Sequence, residues 1–155
     1  MADDLALLDA LIDPAGWYPM ESFERMGDAI LHEIAAGQLE AVRMWGRFQT
    51  DAILRIHPHL VSSGSPAETL ARFQVLRQGF FDYDAVDLPE VLACAARITI
   101  AYGMGVVAEE AACHQAMGFF ERMVEVAGGS GIYATFRRRG WVEGPPTEIS
   151  ISWRV

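Results

Sequence analysis

Few side chains in this sequence could do chemistry, and most of those stand in pairs. Cys113 and His114 are adjacent, and a thiolate with an imidazole is a zinc donor set. Neighbours on a helix point about 100° apart, so these two do not easily share a metal. Winding the segment at that pitch puts Cys113 on an apolar arc and His114 on a polar one, a buried cysteine beside an exposed histidine. Glu110 lies four residues before His114, as surface decoration, or else as a metal or acid–base pair on one helix face. His57 and His59 flank Pro58 at a helix end, where an imidazole complements the C-terminal dipole without a metal. Arg137, Arg138 and Arg139 form a short basic run that suits a phosphate, or a cross-strand pair between Arg137 and Glu148. Gly103 and Gly105 precede a helix, so backbone amides there could cradle an anion or simply make a tight turn. Ala108 breaks the dinucleotide fingerprint, and there is no nucleophile elbow, zinc-protease signature or phosphate loop. The expectation is a protein that is not an enzyme, has no cofactor and is colourless and metal-free.

The elements that must position these residues read as an α+β domain. Helices are expected from Pro19 to about Ala36, from 39 to 56 and from 65 to 78. The first presents Phe23, Met26, Ile30, Leu31 and Ile34 on one face. The second buries Leu39, Val42, Trp45, Phe48, Ala52, Ile53 and Ile56. Ser65, Pro66 and Glu68 are an N-cap, a first-turn proline and a first-turn acid. Strands are expected over 80–86, with Phe81, Tyr83 and Ala85 on one face, and over 92–102, with Ile98, Ile100 and Tyr102 on one side. A long helix then runs from 108 to about 127, its apolar arc carrying Cys113, Met117, Phe120 and Met123. A hairpin closes the chain. Ile132, Ala134 and Phe136 alternate with polar residues in its first strand, and Ile149, Ile151 and Trp153 do so in its second. The expected architecture is helices packed on one face of a small antiparallel sheet, with the C-terminal helix followed by a β-hairpin.

The 155 residues suit one domain, 1–155, with 1–18 as an N-terminal helix and turn extension and 19–155 as the body. Apolar residues make up 52% and charged residues 21%, a globular balance. The 21 acids against 12 bases give a formal charge of −9, which argues against nucleic acid and anionic membrane as partners. The start, MADDLALLDALIDP, lacks the basic residues of a signal peptide, and no stretch reaches the roughly 18 apolar residues of a membrane span. Cys94 and Cys113 lack CxxC spacing. They point to a reducing, cytoplasmic compartment, with one disulfide as the alternative.

The segments ARITIAYGM, MGFFERMVEVAGG and TEISISW, with Trp17-Tyr18-Pro19 upstream, resemble a domain of unknown function that occurs in many paralogous copies in myxobacteria. That domain is similar in layout to a superfamily of 4-vinyl-reductase-type sensor domains, haem nitric-oxide-binding domains and vesicle-tethering subunits. The resemblance implies a sensor-like body for 19–155, helices on a small antiparallel sheet, an apolar pocket and a dimer. The 4-vinyl-reductase-type domains often carry zinc-binding cysteines around the final hairpin, but GIYATFRRRGWVEGPPTEISISW has none. The haem-binding branch uses Tyr-x-Ser-x-Arg for the haem carboxylates. Tyr133, Thr135 and Arg137 are the nearest text, with Tyr133 and Arg137 on the outer face of an alternating strand, so the match reads as coincidence.

Trp45, Phe48, Phe73, Tyr102, Met117, Phe120 and Met123 are the candidate liners of an apolar interior, with an ordinary packed core as the alternative. Gly118 stands inside the long helix at a cost of about 1 kcal/mol against alanine. It shares the polar arc with Glu110, His114 and Glu121. A close backbone approach would explain it, from a second subunit first or else from within the chain. The expected role is a non-enzymatic small-molecule-binding or signalling module, homodimeric or with a protein partner. A ligand-free interaction adaptor and an enzyme of unidentified reaction are the other classes.

Overall fold

A computed structural model describes residues 16–155, so most of the expected 1–18 extension lies outside the described residues. Helix α1 (Met20–Ala29) starts behind Pro19 and passes into a π turn over Ile30–Ile34. There the Ala35 N–H donates to the Ile30 carbonyl, 2.8 Å away, five residues back rather than four. The wider turn shifts the phase of the residues at its end. Leu31 stays buried, whereas Ile34, expected on the same face, is 70% exposed.

Helix α2 (Leu39–Ile56) also departs from its apolar stripe. Its buried seam is Val42, Gly46 and Thr50, while Phe48 is 55% exposed and Ile56 is exposed too. The reason is its crossing with α4 (Val106–Val126). A Cβ at Gly46 would lie 1.9 Å from the Gln115 carbonyl oxygen, and one at Gly118 would lie 1.9 Å from that of Arg43. The two backbones touch, and only a seam of small residues permits that. Polar groups flank the joint. Thr50 Oγ1 donates to the Phe119 carbonyl at 2.8 Å. Arg43 makes a two-pronged pair with Glu121, its Nε donating at 2.9 Å. Arg47 reaches Glu125 at 2.6 Å and Arg122 reaches Asp51 at 2.9 Å. The close approach at Gly118 is therefore within one chain. The expectation of a second subunit there is corrected, because Gly118 and Glu121 are already covered by α2.

Helix α3 (Pro66–Leu76) opens as expected, with Ser65 Oγ accepting the Glu68 N–H at 3.3 Å and Pro66 in the first turn. A 3₁₀ turn, Arg77–Gly79, succeeds it. No strand forms at 80–85. Phe80 and Phe81, adjacent in sequence, face one cavity, which strand alternation forbids. Strand β1 is instead Val86–Val91. Pro89 lies within it, and β1 is an edge strand whose register shifts between Asp87 and Glu90, a setting that tolerates proline. Strand β2 (Ala95–Ile100) stops short of Tyr102. After α4 come β3 (Ser130–Arg138), the one-turn helix α5 (Gly140–Glu143) and β4 (Thr147–Arg154).

The strands form one antiparallel sheet in the order β1-β2-β4-β3. Ile98, Ile100, Ile149, Ile151 and Trp153 on its inner face pack against Met117, Phe120, Met123 and Val124 of α4. Arg97, Ser150 and Ser152 stand on the outer face. The architecture is the expected α+β arrangement.

Candidate functional site

Where α2, α4, the end of α3 and the sheet meet, packing leaves a cavity of about 280 Å³. Alanines make the room: Ala112 and Ala116 lie one turn apart on α4, and Ala52 lines the cavity from α2. The remaining wall is aromatic. Phe73 meets Phe120 edge to face at 5.4 Å, Phe119 meets Phe120 in the same way at 5.4 Å, and Phe81 lies 5.6 Å from Tyr102. Phe23 enters from α1, and Phe80, partly exposed, stands at the rim.

Two amides interrupt this wall. Gln115 Nε2 donates to Gln49 Oε1 across the α2–α4 gap at 2.6 Å. Tyr102 is the third polar side chain in the lining. Burial pushes its phenol well above the ordinary value, with Cys113 and Glu109 adding to the shift, so it stays neutral. Among the described residues the lining holds no carboxylate, imidazole, thiol or amine, so this cavity can bind but has no acid–base pair.

The candidate liners divide. Phe73, Tyr102 and Phe120 line the cavity. Met117 and Met123 are buried core behind it. Trp45 and Phe48 line a separate groove with Ile30, Ile34 and Met44. Gln49 and Gln115 escape sequence reasoning, because a glutamine at a helix position reads as a surface residue. Phe80 and Phe81 escape it because the segment was expected to be a strand.

The other candidate groups lie elsewhere. The glycine turn at 103–105 cradles no foreign anion. Buried Glu109 accepts the Tyr102 and Met104 N–H groups at 3.0 Å each, and Glu24 accepts that of Gly105 at 2.9 Å. Cys113 is core, 3.4 Å from Thr147 Oγ1, and burial pushes its thiol up to about 12 despite that hydrogen bond. Cys94 is exposed, and neither cysteine is in a disulfide. A β3 bulge sets Arg138, not Arg137, opposite Glu148. Arg138 donates to the Pro145 carbonyl at 3.4 Å. Tyr133 is 66% exposed and Arg137 is exposed, and neither reaches the cavity. His57 and His59 meet edge to face at 5.7 Å after α2. Among the described residues no three His, Cys, Asp or Glu side chains gather at one point.

His114, expected to be exposed, is half-buried instead. Its ring packs edge-on against Phe136 at 4.9 Å and near Trp141 at 6.2 Å, and its Nδ1 is buried without a partner. Burial lowers its pKa from the ordinary 6.5, Arg43 and Arg139 lower it further, and Glu110 and Glu40 oppose the shift. Above the unfolded value the ring is neutral in both states and contributes nothing. As pH falls below it, protons bind the unfolded chain first and stability is lost until the folded pKa is passed. Between pH 7 and pH 5 the wild type should therefore lose more stability than His114→Phe. Equal losses in denaturant midpoint would show that His114 titrates as a free imidazole.

Haem does not fit this lining. Among the described lining residues Tyr102 is the one plausible iron ligand, and a phenol whose burial opposes ionisation is a poor one. The volume lies just below the usual range of ligand pockets, about 300–1,000 Å³.

No family model matches the chain, and no curated protein matches it. Solved structures do. A point mutant of T. Tengcongensis H-NOX shares 12% identity, with a TM-score of 0.68 over 99% of this chain and 86% of that one. The Fe(II) unliganded H-NOX protein from K. algicida shares 12%, with a TM-score of 0.67 over 94% of this chain and 78% of that one. A structure probing heme distortion in the H-NOX family gives 12% and 0.67, over 99% and 84%. Nearly the whole chain thus has the haem nitric-oxide-binding-like fold.

Proposed function

We propose that the chain is a non-enzymatic, sensor-like module that binds a small, uncharged, largely apolar molecule between α2, α4 and the sheet. The observation that carries this reading is the aromatic cavity itself, formed in a fold whose solved relatives include Fe(II) and heme proteins. Among the described residues the lining supplies no good iron ligand, so this reading takes a ligand other than haem. The finer resemblance to the myxobacterial paralogues belongs to the same reading, as does a reducing, cytoplasmic setting, which the two free thiols support.

A ligand-free adaptor is the second reading. It is favoured by the exposed apolar groove at Met44, Trp45 and Phe48. An adaptor, however, does not call for a second, aromatic-lined cavity between α2, α4 and the sheet.

The neutral fluorophore N-phenyl-1-naphthylamine separates the two. The wild type should bind it with an emission rise, and Ala116→Phe, which fills the cavity, should abolish that signal while keeping a cooperative unfolding transition. Native mass spectrometry of freshly purified protein should show an organic adduct, with no Soret band in the absorption spectrum. Equal dye binding by wild type and variant would move the site out of the cavity.

A further inference from the structure

We propose that the Gln49–Gln115 pair is the specificity element of the cavity, and that its ligand is an uncharged aromatic molecule bearing an amide-like group, one hydrogen-bond donor beside one acceptor. This rests on the reading of the cavity as a binding site and names the chemistry that the site selects.

A primary amide has a carbonyl that can accept twice and an NH₂ that donates twice. The bond between the two side chains uses one donor of Gln115 and one lone pair of Gln49. Left without a partner among the described residues are the Gln115 carbonyl and the Gln49 NH₂, on two side chains that line the cavity. Reversing which amide donates leaves the same complement. The pair keeps one spare acceptor and one spare donor on hydrogen-bonded neighbours, which a carboxamide, lactam or similar group can match with two bonds. Both glutamines are half-buried, so a ligand that covers them without replacing lost water contacts is penalised.

Position and charge narrow the class. Gln49 is one turn past Gly46, and the Gln115 carbonyl is the group that Gly46 meets, so both sit at the backbone contact that fixes the two helices. Among the described residues the lining holds no cation to receive a carboxylate and no anion to receive an ammonium, in a chain of charge −9. Burying either charge unpaired is costly. The rings of Phe73, Phe119 and Phe120 favour a flat, aromatic body.

Three near-isosteres test this by displacing N-phenyl-1-naphthylamine: 2-naphthamide, 2-acetonaphthone, which lacks the donor, and 2-naphthoate, which is charged. On the wild type the amide should compete at least about tenfold better than the ketone or the acid. In the Gln49→Met, Gln115→Met double variant the amide preference should shrink to within about twofold, with the ketone binding as well as before or better. That retained binding shows that the variant is folded. If the wild type binds the dye and all three competitors alike, or prefers the acid, the pair is only a helix clamp and the proposal is overturned while the cavity reading stands. An amide preference that survives in the double variant overturns it equally. If neither dye nor competitor binds the wild type, the cavity reading fails and this proposal falls with it.

Discussion

Gly118→Leu should lower the stability of the protein by about 3 kcal/mol without changing its mass in sedimentation. Even the first added carbon has no room: a Cβ at this position would sit 1.9 Å from the Arg43 carbonyl oxygen and 2.8 Å from its carbon. Those are backbone atoms of a helix held by ion pairs on either side, so they cannot swing away as a side chain would. Overpacking a close-packed interior costs typically 1–3 kcal/mol, and a blocked backbone belongs at the upper end of that range or beyond. Helix propensity returns only about 1 kcal/mol for removing glycine. Gly46→Ala should behave alike, since its Cβ would meet the Gln115 carbonyl at the same 1.9 Å. Denaturant midpoints and sedimentation on both variants check this. A Gly118→Leu protein as stable as the wild type would show that α2 and α4 do not meet at their backbones.

Phe120→Ala should cost about 3–5 kcal/mol, the usual range for truncating a large aromatic residue in a packed core. Phe120 is 2% exposed and meets both Phe73 and Phe119 edge to face. It also lines the cavity, so its loss would enlarge that space. Phe120→Leu keeps more of the contact area and should lose clearly less. An unchanged midpoint for Phe120→Ala would place that face of α4 toward solvent.

The fold was legible where local rules and tertiary demands agree. Ser65, Pro66 and Glu68 start a helix by chemistry confined to one turn, and the structure repeats it. Ile149, Ile151 and Trp153 alternate because one face of β4 is covered and the other is not. Reading failed where a contact between distant segments decided the outcome. The apolar residues of α2 point to a core face that the helix does not use, because Gly46 and Thr50 allow a closer approach to α4 than Trp45 and Phe48 would. The π turn at Ile30–Ile34 leaves no mark in an apolar spacing that fits an ordinary helix. The site was half legible for the same reason. Aromatic residues such as Phe73 and Phe120 announce a core, but the space between them is set by alanines and by a helix crossing, and neither has a spacing to recognise.

The backbone contact at Gly46 and Gly118 has a consequence for redesign. It sets the frame of the cavity, the distance between α2 and α4, by two atoms of main chain that no side-chain exchange can shorten or pad. The facing of that frame is interchangeable. Ala52, Ala112 and Ala116 project from the same two helices and add volume in increments of single carbons. Ligand range can therefore be retuned at three positions without re-docking a helix, and a library confined to those three, with both glycines held fixed, samples pocket shape while leaving the architecture alone.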